Sequence, residues 1–289
     1  MESMNYDLFI NYNPEMFIET CKRLLVLGYD AACFSTTIEM SDYIASKKKN
    51  KNLPKINEIK VLDLKKYADI PDIQKLKVFL RLNIIIENGK DIAQFYRDFS
   101  PALRQYDLIA LQPKNLEAMM ACFDSAPFLD LITIDVEDSE TNALKSNHFK
   151  ILKAKGFYLE FEYSRLWMNS DQVNDISRGN FISTLTKLSS RCRNSLANYV
   201  IISSGTSSPW NLRRPQSIIS LLRSFGLNPI NKIKNAMTIN AYSALYHGLV
   251  RRFSSSGAGA VIKLSLAKDI KILRIEGDVV KAEAMEVTS

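Results

Sequence analysis

The sequence predicts an α/β protein whose parallel strands close into a barrel. Two observations carry that prediction. Short apolar segments alternate with segments of helical period from the first residues onward, and most of the short segments are apolar on both alternating faces. Strands covered on two sides need that composition. Strands separated by helices run parallel, because each crossover returns the chain to the same end of the sheet. Repetition over roughly 250 residues points to a closed barrel. A doubly wound open sheet is the alternative that the same pattern permits.

Taken in order, residues 6–10 (YDLFI) read as the first strand. Residues 14–27 carry apolar side chains at helical spacing and stop at Gly28, a residue suited to the left-handed turn that ends helices. Residues 31–35 form the second strand candidate. A lysine- and asparagine-rich loop over 47–60, with KKKNKN at its heart, leads into a third candidate at 58–62. Further strand candidates lie at 78–86, 108–111, 131–134, 158–163 and 199–203, and helices at 115–123, 180–196 and 215–225, the last ending at Phe225-Gly226. The weakest link is 135–154, where no clear helix separates two strands. Past Phe253 the composition changes to SSSGAGA, a flexible run. It is followed by VIKLSLAKDIKILRIEGDVV, which reads as a docking strand, a docking helix or a disordered tail. The expected division is one folded domain over 1–253 and a tail over 254–289.

The chain of 289 residues is 46% hydrophobic and 24% charged, an ordinary globular balance. Its formal net charge is +7 and its pI about 9.1. A basic surplus suits an acidic partner such as nucleic acid or an anionic membrane surface, and equally suits plain solubility. The cysteines, Cys21, Cys33, Cys122 and Cys192, form no CxxC pair, so a zinc ribbon or disulfide framework is not expected and buried thiols in a reducing compartment are. The opening MESMNYDLFINYNPE lacks the basic start and apolar run of a signal peptide, and no apolar stretch reaches the length of a membrane span. The expectation is a soluble intracellular protein with no membrane partner.

Catalytic chemistry finds little purchase. A metal hydrolase on a barrel needs several histidines, and this chain has two, His148 and His247, with no HxH or HExxH pair. A carboxylate-only magnesium site stays open, from Asp135, Glu137, Asp138, Glu160 and Glu162; the last two share one strand face by the period of two. There is no G-x-S-x-G elbow, Rossmann glycine pattern or P-loop. The hydroxyl-rich run 203–208 follows a strand, where it could hold a phosphate or simply turn the chain.

Basic residues are the stronger signal, since phosphates are neutralised by lysine and gripped by the arginine fork. Candidates are Lys47, Lys48 and Lys49 in the loop, Arg81 inside a strand, Arg104, Lys114 after a strand, Arg213 and Arg214 before a helix, and Arg251 and Arg252 at a helix end. Trp210 and Tyr246 lie near such groups and could stack on bases. Arg81 stands out, because an arginine in an apolar strand is costly unless paired or able to reach a strand end.

Four stretches carry a family resemblance: KVFLRLNIII, RQYDLIALQPKNLEAMMAC, NYVIISSGTSSPWNLRRP and LLRSFGLNPINKIKNAMTINAYSALYHGLVRR. In order and spacing they resemble the thirty-kilodalton protein subunit of ribonuclease P and ribonuclease MRP, over most of residues 4–252. The resemblance implies a TIM-barrel-like fold related to polymerase-and-histidinol-phosphatase barrels, without the metal histidines. It implies a non-catalytic subunit of a nuclear and nucleolar ribonucleoprotein. There the ribonuclease P RNA, with Mg2+ in its own core and no cofactor on this chain, removes the 5′ leader of precursor tRNA. Ribonuclease MRP RNA and rRNA processing, a small α/β protein subunit and other holoenzyme proteins are implied as well. By position it implicates Arg81, Lys114, Ser203, Ser204, Arg214 and His247, with His247 structural, the serines shaping the barrel mouth, and the basic residues contacting RNA or partner. The KKKNKN loop and the tail have no counterpart. The rival reading is a degenerate barrel phosphohydrolase using run 203–208 for phosphate and Asp135 with Glu160 for a divalent metal. A third is an assembly protein that touches no RNA.

Overall fold

A computed structural model describes residues 4–48, 70–125, 128–134, 148, 151–152, 155, 157–166, 175–192, 199–227 and 230–253. Seven strands make one sheet in sequence order: β1 (Tyr6–Asn11), β2 (Ala31–Glu39), β3 (Lys77–Ile86), β4 (Leu108–Pro113), β5 (Leu131–Thr133), β6 (Tyr158–Glu162) and β7 (Val200–Ser203). Every neighbouring pair is parallel. The helices are α1 (Phe17–Leu27), α2 (Met40–Lys48), α3 (Pro71–Lys75), α4 (Ile92–Leu103), α5 (Leu116–Ser125), α6 (Asp175–Cys192), α7 (Pro215–Ser224), α8 (Ile230–Asn235) and α9 (Ile239–Phe253). The strand expected at 58–62 and the tail from 254 lie outside the described residues, as does most of 135–154.

The sheet nearly closes on itself, so the architecture is the barrel and not the open sheet. At the carboxyl ends of the strands Ile10 bridges Thr206 in parallel, with Asn11 N–H donating to the Thr206 carbonyl at 2.9 Å and Gly205 N–H to that of Phe9 at 2.7 Å. At the amino ends the seam is filled by the link after α8. Tyr6 N–H donates to the Met237 carbonyl at 2.8 Å, and Ile202 N–H to that of Ala236 at 3.3 Å. These bonds satisfy strand edges that would otherwise stay unpaired in the interior.

Two apolar clusters explain why the strands are apolar on both faces. Outside the barrel, Ala32, Phe34, Ile84, Ile109, Leu111, Leu159 and Ile202 pack with helix residues such as Leu24, Phe95 and Ile218. Inside, Leu8, Cys33, Phe79, Leu108, Ala110, Leu131 and Ile201 meet Ala241, Ala244, Leu245 and Leu249 of α9. Helix α9 therefore plugs the amino end of the barrel. Gly248 permits the approach: a Cβ there would fall 2.1 Å from the Asp107 carbonyl oxygen. Cys21, Cys33 and Cys122 are buried and in no disulfide, as expected, and the Cys192 side chain lies outside the described residues.

Local signals place several helix ends. Gly28 adopts φ 89° and returns its N–H to the Leu24 and Leu25 carbonyls. Pro71 and Pro215 open α3 and α7 at positions that need no N–H. Helix α4 went unread in the sequence; it carries Pro101 in its last turn, a residue that argues against a helix.

Candidate nucleic-acid interface and the barrel interior

The sequence-derived candidates separate into three places. The first is the barrel interior, above the apolar plug. Alternation on β3 sends Phe79, Arg81 and Asn83 inward, and Arg81 is 0% exposed. Its guanidinium donates to Glu160 through both arms, Nη1 to Oε1 at 2.8 Å and Nη2 to Oε2 at 2.6 Å. Nη1 also donates to the Leu8 carbonyl at 2.7 Å, and Nη2 to Thr133 Oγ1 at 2.8 Å. Glu160 accepts further from Ser203 Oγ at 2.6 Å and Thr133 Oγ1 at 2.8 Å. The β1 register shifts between Asp7 and Ile10, and the Phe9 ring lies under the guanidinium, 3.9 Å from its carbon. Asn83 completes the layer by donating to Gln112 at 2.8 Å.

This geometry places three expected site residues inside the barrel wall. Arg81 is turned away from the surface, its charge held inside by groups on β1, β5 and β6. Ser203 and Ser204 are also fully buried, and Ser204 Oγ donates to the Phe9 carbonyl at 3.0 Å. They join β7 to β6 and β1, and present nothing to a phosphate. Glu160 is equally unsuited to Mg2+, since each of its oxygens already accepts two hydrogen bonds and a cation would have to displace the guanidinium. Asp135, Glu137 and Asp138 lie outside the described residues; among those described, no cluster of three or more His, Cys, Asp or Glu is placed to hold a metal.

Asp7 lies beside this layer and was missed in the sequence. It is wholly buried; Oδ1 accepts from Ser204 N–H at 3.0 Å and Phe9 N–H at 3.2 Å, and Oδ2 has no partner. Burial pushes its pKa up to about 7, opposed by those two hydrogen bonds.

The second place is the amino end of the barrel. Arg251 Nη2 pairs with Asp130 Oδ2 at 2.9 Å, and Arg252 Nη1 with Asp107 Oδ1 at 2.5 Å. His247 Nδ1 lies 2.7 Å from Asp130 Oδ1. The same carboxylates accept strand N–H groups, Leu80 on Asp107 at 2.8 Å and Ile109 on Asp130 at 2.7 Å. Arg251 and Arg252 thus fasten α9 to the sheet, and their charge is largely matched within the chain. The Arg251 side chain is nine-tenths enclosed by these contacts. The His247 side chain, half exposed, meets the same carboxylate as Arg251. Each aspartate stands immediately before an apolar strand, DLIAL and DLITI, a repeated signal that was available in the sequence.

The third place is the loop after β7. Arg214 is exposed, Arg213 is half-buried, and Trp210 is 64% exposed. Lys114, half-buried, follows β4 with its N–H on the Ile86 carbonyl. Lys47 and Lys48 end α2, with side chains outside the described set, and Lys49 lies outside it altogether. No helix among the described residues is long and apolar enough to cross a membrane.

The family model described as RNase P subunit p30 matches residues 4–253. The chain belongs to the RNase P subunit p30 family. As a p30-family chain it is 30% identical over 159 residues to Protein GAMETOPHYTE DEFECTIVE 1 of Arabidopsis thaliana, covering 55% of this chain and 26% of that protein. It therefore spans about a quarter of that relative's length. It is 23% identical over 242 residues to ribonuclease P/MRP protein subunit RPP1 of Saccharomyces cerevisiae, covering 82% of this chain and 74% of that one. The p30 barrel also superposes on a chain in a cryo-EM structure of archaeal ribonuclease P with mature tRNA. The TM-score is 0.61 at 14% identity, over 91% of this chain and 100% of that chain, a likeness of fold.

Proposed function

We propose that this chain is a scaffold subunit of ribonuclease P, binding and positioning the catalytic RNA and neighbouring proteins while the RNA removes the 5′ leader of precursor tRNA. Family membership supports the particle. The observation that carries RNA contact is the distribution of charge. Residues 176–268 contain 13 of the 38 lysines and arginines and none of the 31 aspartates and glutamates. That stretch is +13 and the rest of the chain −6. It supplies α6 to α9 with β7, and Arg214, Arg223 and Lys234 on it are exposed. Arg251 and Arg252 apart, which Asp130 and Asp107 match, such an excess of one sign attracts a polyanion. In this reading Mg2+ is held by RNA phosphates, in keeping with a Glu160 locked to Arg81, and the chain itself needs no cofactor. The yeast relative's name supports a role with ribonuclease MRP RNA too, hence rRNA processing and residence in the nucleus and nucleolus. A small α/β subunit and other holoenzyme proteins are the protein partners this reading calls for.

The test is a salt titration. Full-length chain with its small protein partner is bound to catalytic RNA between about 50 and 200 mM salt, where each phosphate contact contributes roughly 0.9 to the slope of log K against log salt. Reversal of Arg214, Arg223 and Lys234 to glutamate is expected to flatten that slope. Affinity indifferent to both salt and these charges rules the reading out.

A further inference from the structure

We infer that Trp210 is a stacking site for one unpaired RNA base, with a phosphate contact at Arg214 beside it. The inference rests on the RNA-binding reading above and names which part of the RNA this loop takes. Among the described residues Trp210 is the most open of the large aromatic side chains, at 64% exposure, yet its backbone is tied down from both sides. Upstream, Gly205 N–H donates to the Phe9 carbonyl at 2.7 Å, and Ser208 N–H to Thr206 Oγ1 at 3.0 Å. Ser208 Oγ in turn accepts from Trp210 N–H at 3.4 Å, and Pro209 is buried. Downstream, Arg213 Nη1 donates to the Trp210 carbonyl at 2.7 Å and to that of Leu212 at 3.0 Å, while the Leu212 side chain is buried in the outer core.

An indole at a loop tip normally finds cover, because it gains most from leaving water. Here the loop is anchored by Pro209 and Leu212, and the indole between them is left outside. A rigid turn that presents an aromatic face loses little entropy when something flat stacks on it. The surrounding charge selects the occupant. Two guanidinium groups follow the indole on the same loop: Arg213 donates to the Trp210 carbonyl, and Arg214 is exposed. Trp210 and Arg214 are four positions apart, so their Cα atoms lie within about 14 Å. A flat, electron-rich ring joined to a phosphate suits that pair. The ring must be unpaired, since bases inside a duplex are already stacked on both faces.

The experiment reads the indole directly. Trp167→Phe leaves Trp210 as the remaining indole of the two in the chain. With the small protein partner present, this variant is titrated with a single-stranded adenosine 12-mer, and in parallel with inorganic polyphosphate of matched charge. Stacking predicts fluorescence quenching by the RNA and little by polyphosphate. In the otherwise native chain, Trp210→Ala should weaken 12-mer binding roughly 5- to 100-fold without changing the salt slope, and Trp210→Phe should recover most of it. Equal quenching by polyphosphate, or 12-mer binding that ignores Trp210→Ala, overturns the stacking site while RNA binding stands. Absence of any RNA binding by the native chain removes both readings. Quenching on addition of the protein partner, with Trp210→Ala losing the partner instead of the RNA, assigns the indole to a protein interface and overturns the proposal.

Discussion

Arg81 is the residue on which the interior depends. It is fully enclosed, and its guanidinium lies between Glu160, Thr133, the Leu8 carbonyl and the Phe9 ring. Removing one partner of a buried pair leaves the other charge in a medium that cannot solvate it, at a cost of about 3–5 kcal/mol. Arg81→Met is therefore expected to lower unfolding free energy by that amount in urea, and Arg81→Met with Glu160→Leu to recover part of it. Equal stability of the single variant and the native chain would show that the pair contributes nothing. Asp7 gives a second prediction. Its folded pKa, about 7, exceeds the ordinary 3.8, so the folded chain binds a proton more tightly than the unfolded one. The stabilising effect is full below about pH 4 and is lost as pH rises to 7. Glu160, the nearest carboxylate acting on Asp7, pushes in the same direction as burial. Asp7→Asn should raise stability above pH 7 and flatten the profile between pH 4 and 7, measured by denaturant melts. A profile unchanged by the substitution would place the titration elsewhere.

Among the elements, α9 has the most to do, since it closes one end of the barrel and is pinned by Arg251 and Arg252 to the carboxylates that begin β4 and β5. The amino end of such a barrel is where stability resides, and the loops at the other end are free to vary. Gly248→Ala forces a methyl group onto the Asp107 carbonyl, and because that atom is backbone the helix must shift. A loss of about 1–3 kcal/mol is expected, with faster hydrogen exchange in α9. Gly179→Ala in α6 is the contrast: nothing lies within 4 Å of the new methyl group, and the helix should gain about 0.5–1 kcal/mol. If both substitutions behaved alike, close approach would not be what keeps Gly248.

For the whole molecule, the uneven charge governs behaviour that no single contact does. Exposed basic residues on the acid-free stretch 176–268, Arg214, Arg223 and Lys234 among them, repel one another. Binding a polyanion there relieves that repulsion and stabilises the fold by mass action. The melting temperature should rise with saturating catalytic RNA and, more weakly, with added salt. A melting temperature that ignores the RNA at concentrations far above the expected dissociation constant would contradict the proposed function.

The barrel could be read from the sequence because its signals are local. Apolar runs such as LIALQ and VIIS, the stop at Gly28 and the proline starts of α3 and α7 depend only on neighbouring residues, and seven of the eight strand candidates stand in the described sheet. That Arg81 needed a special environment was legible too, since charge on an apolar strand demands a partner. Which partner was not. Glu160 is 79 residues away and Asp130 is 121 from Arg251, and a one-dimensional pattern cannot say which carboxylate a closing sheet brings to which arginine. The sequence alone therefore determined the element types, their order and the basic surplus. Tertiary structure decided which charges face water and which face one another, because alternation tells two faces of a strand apart but closure decides which of them is inside.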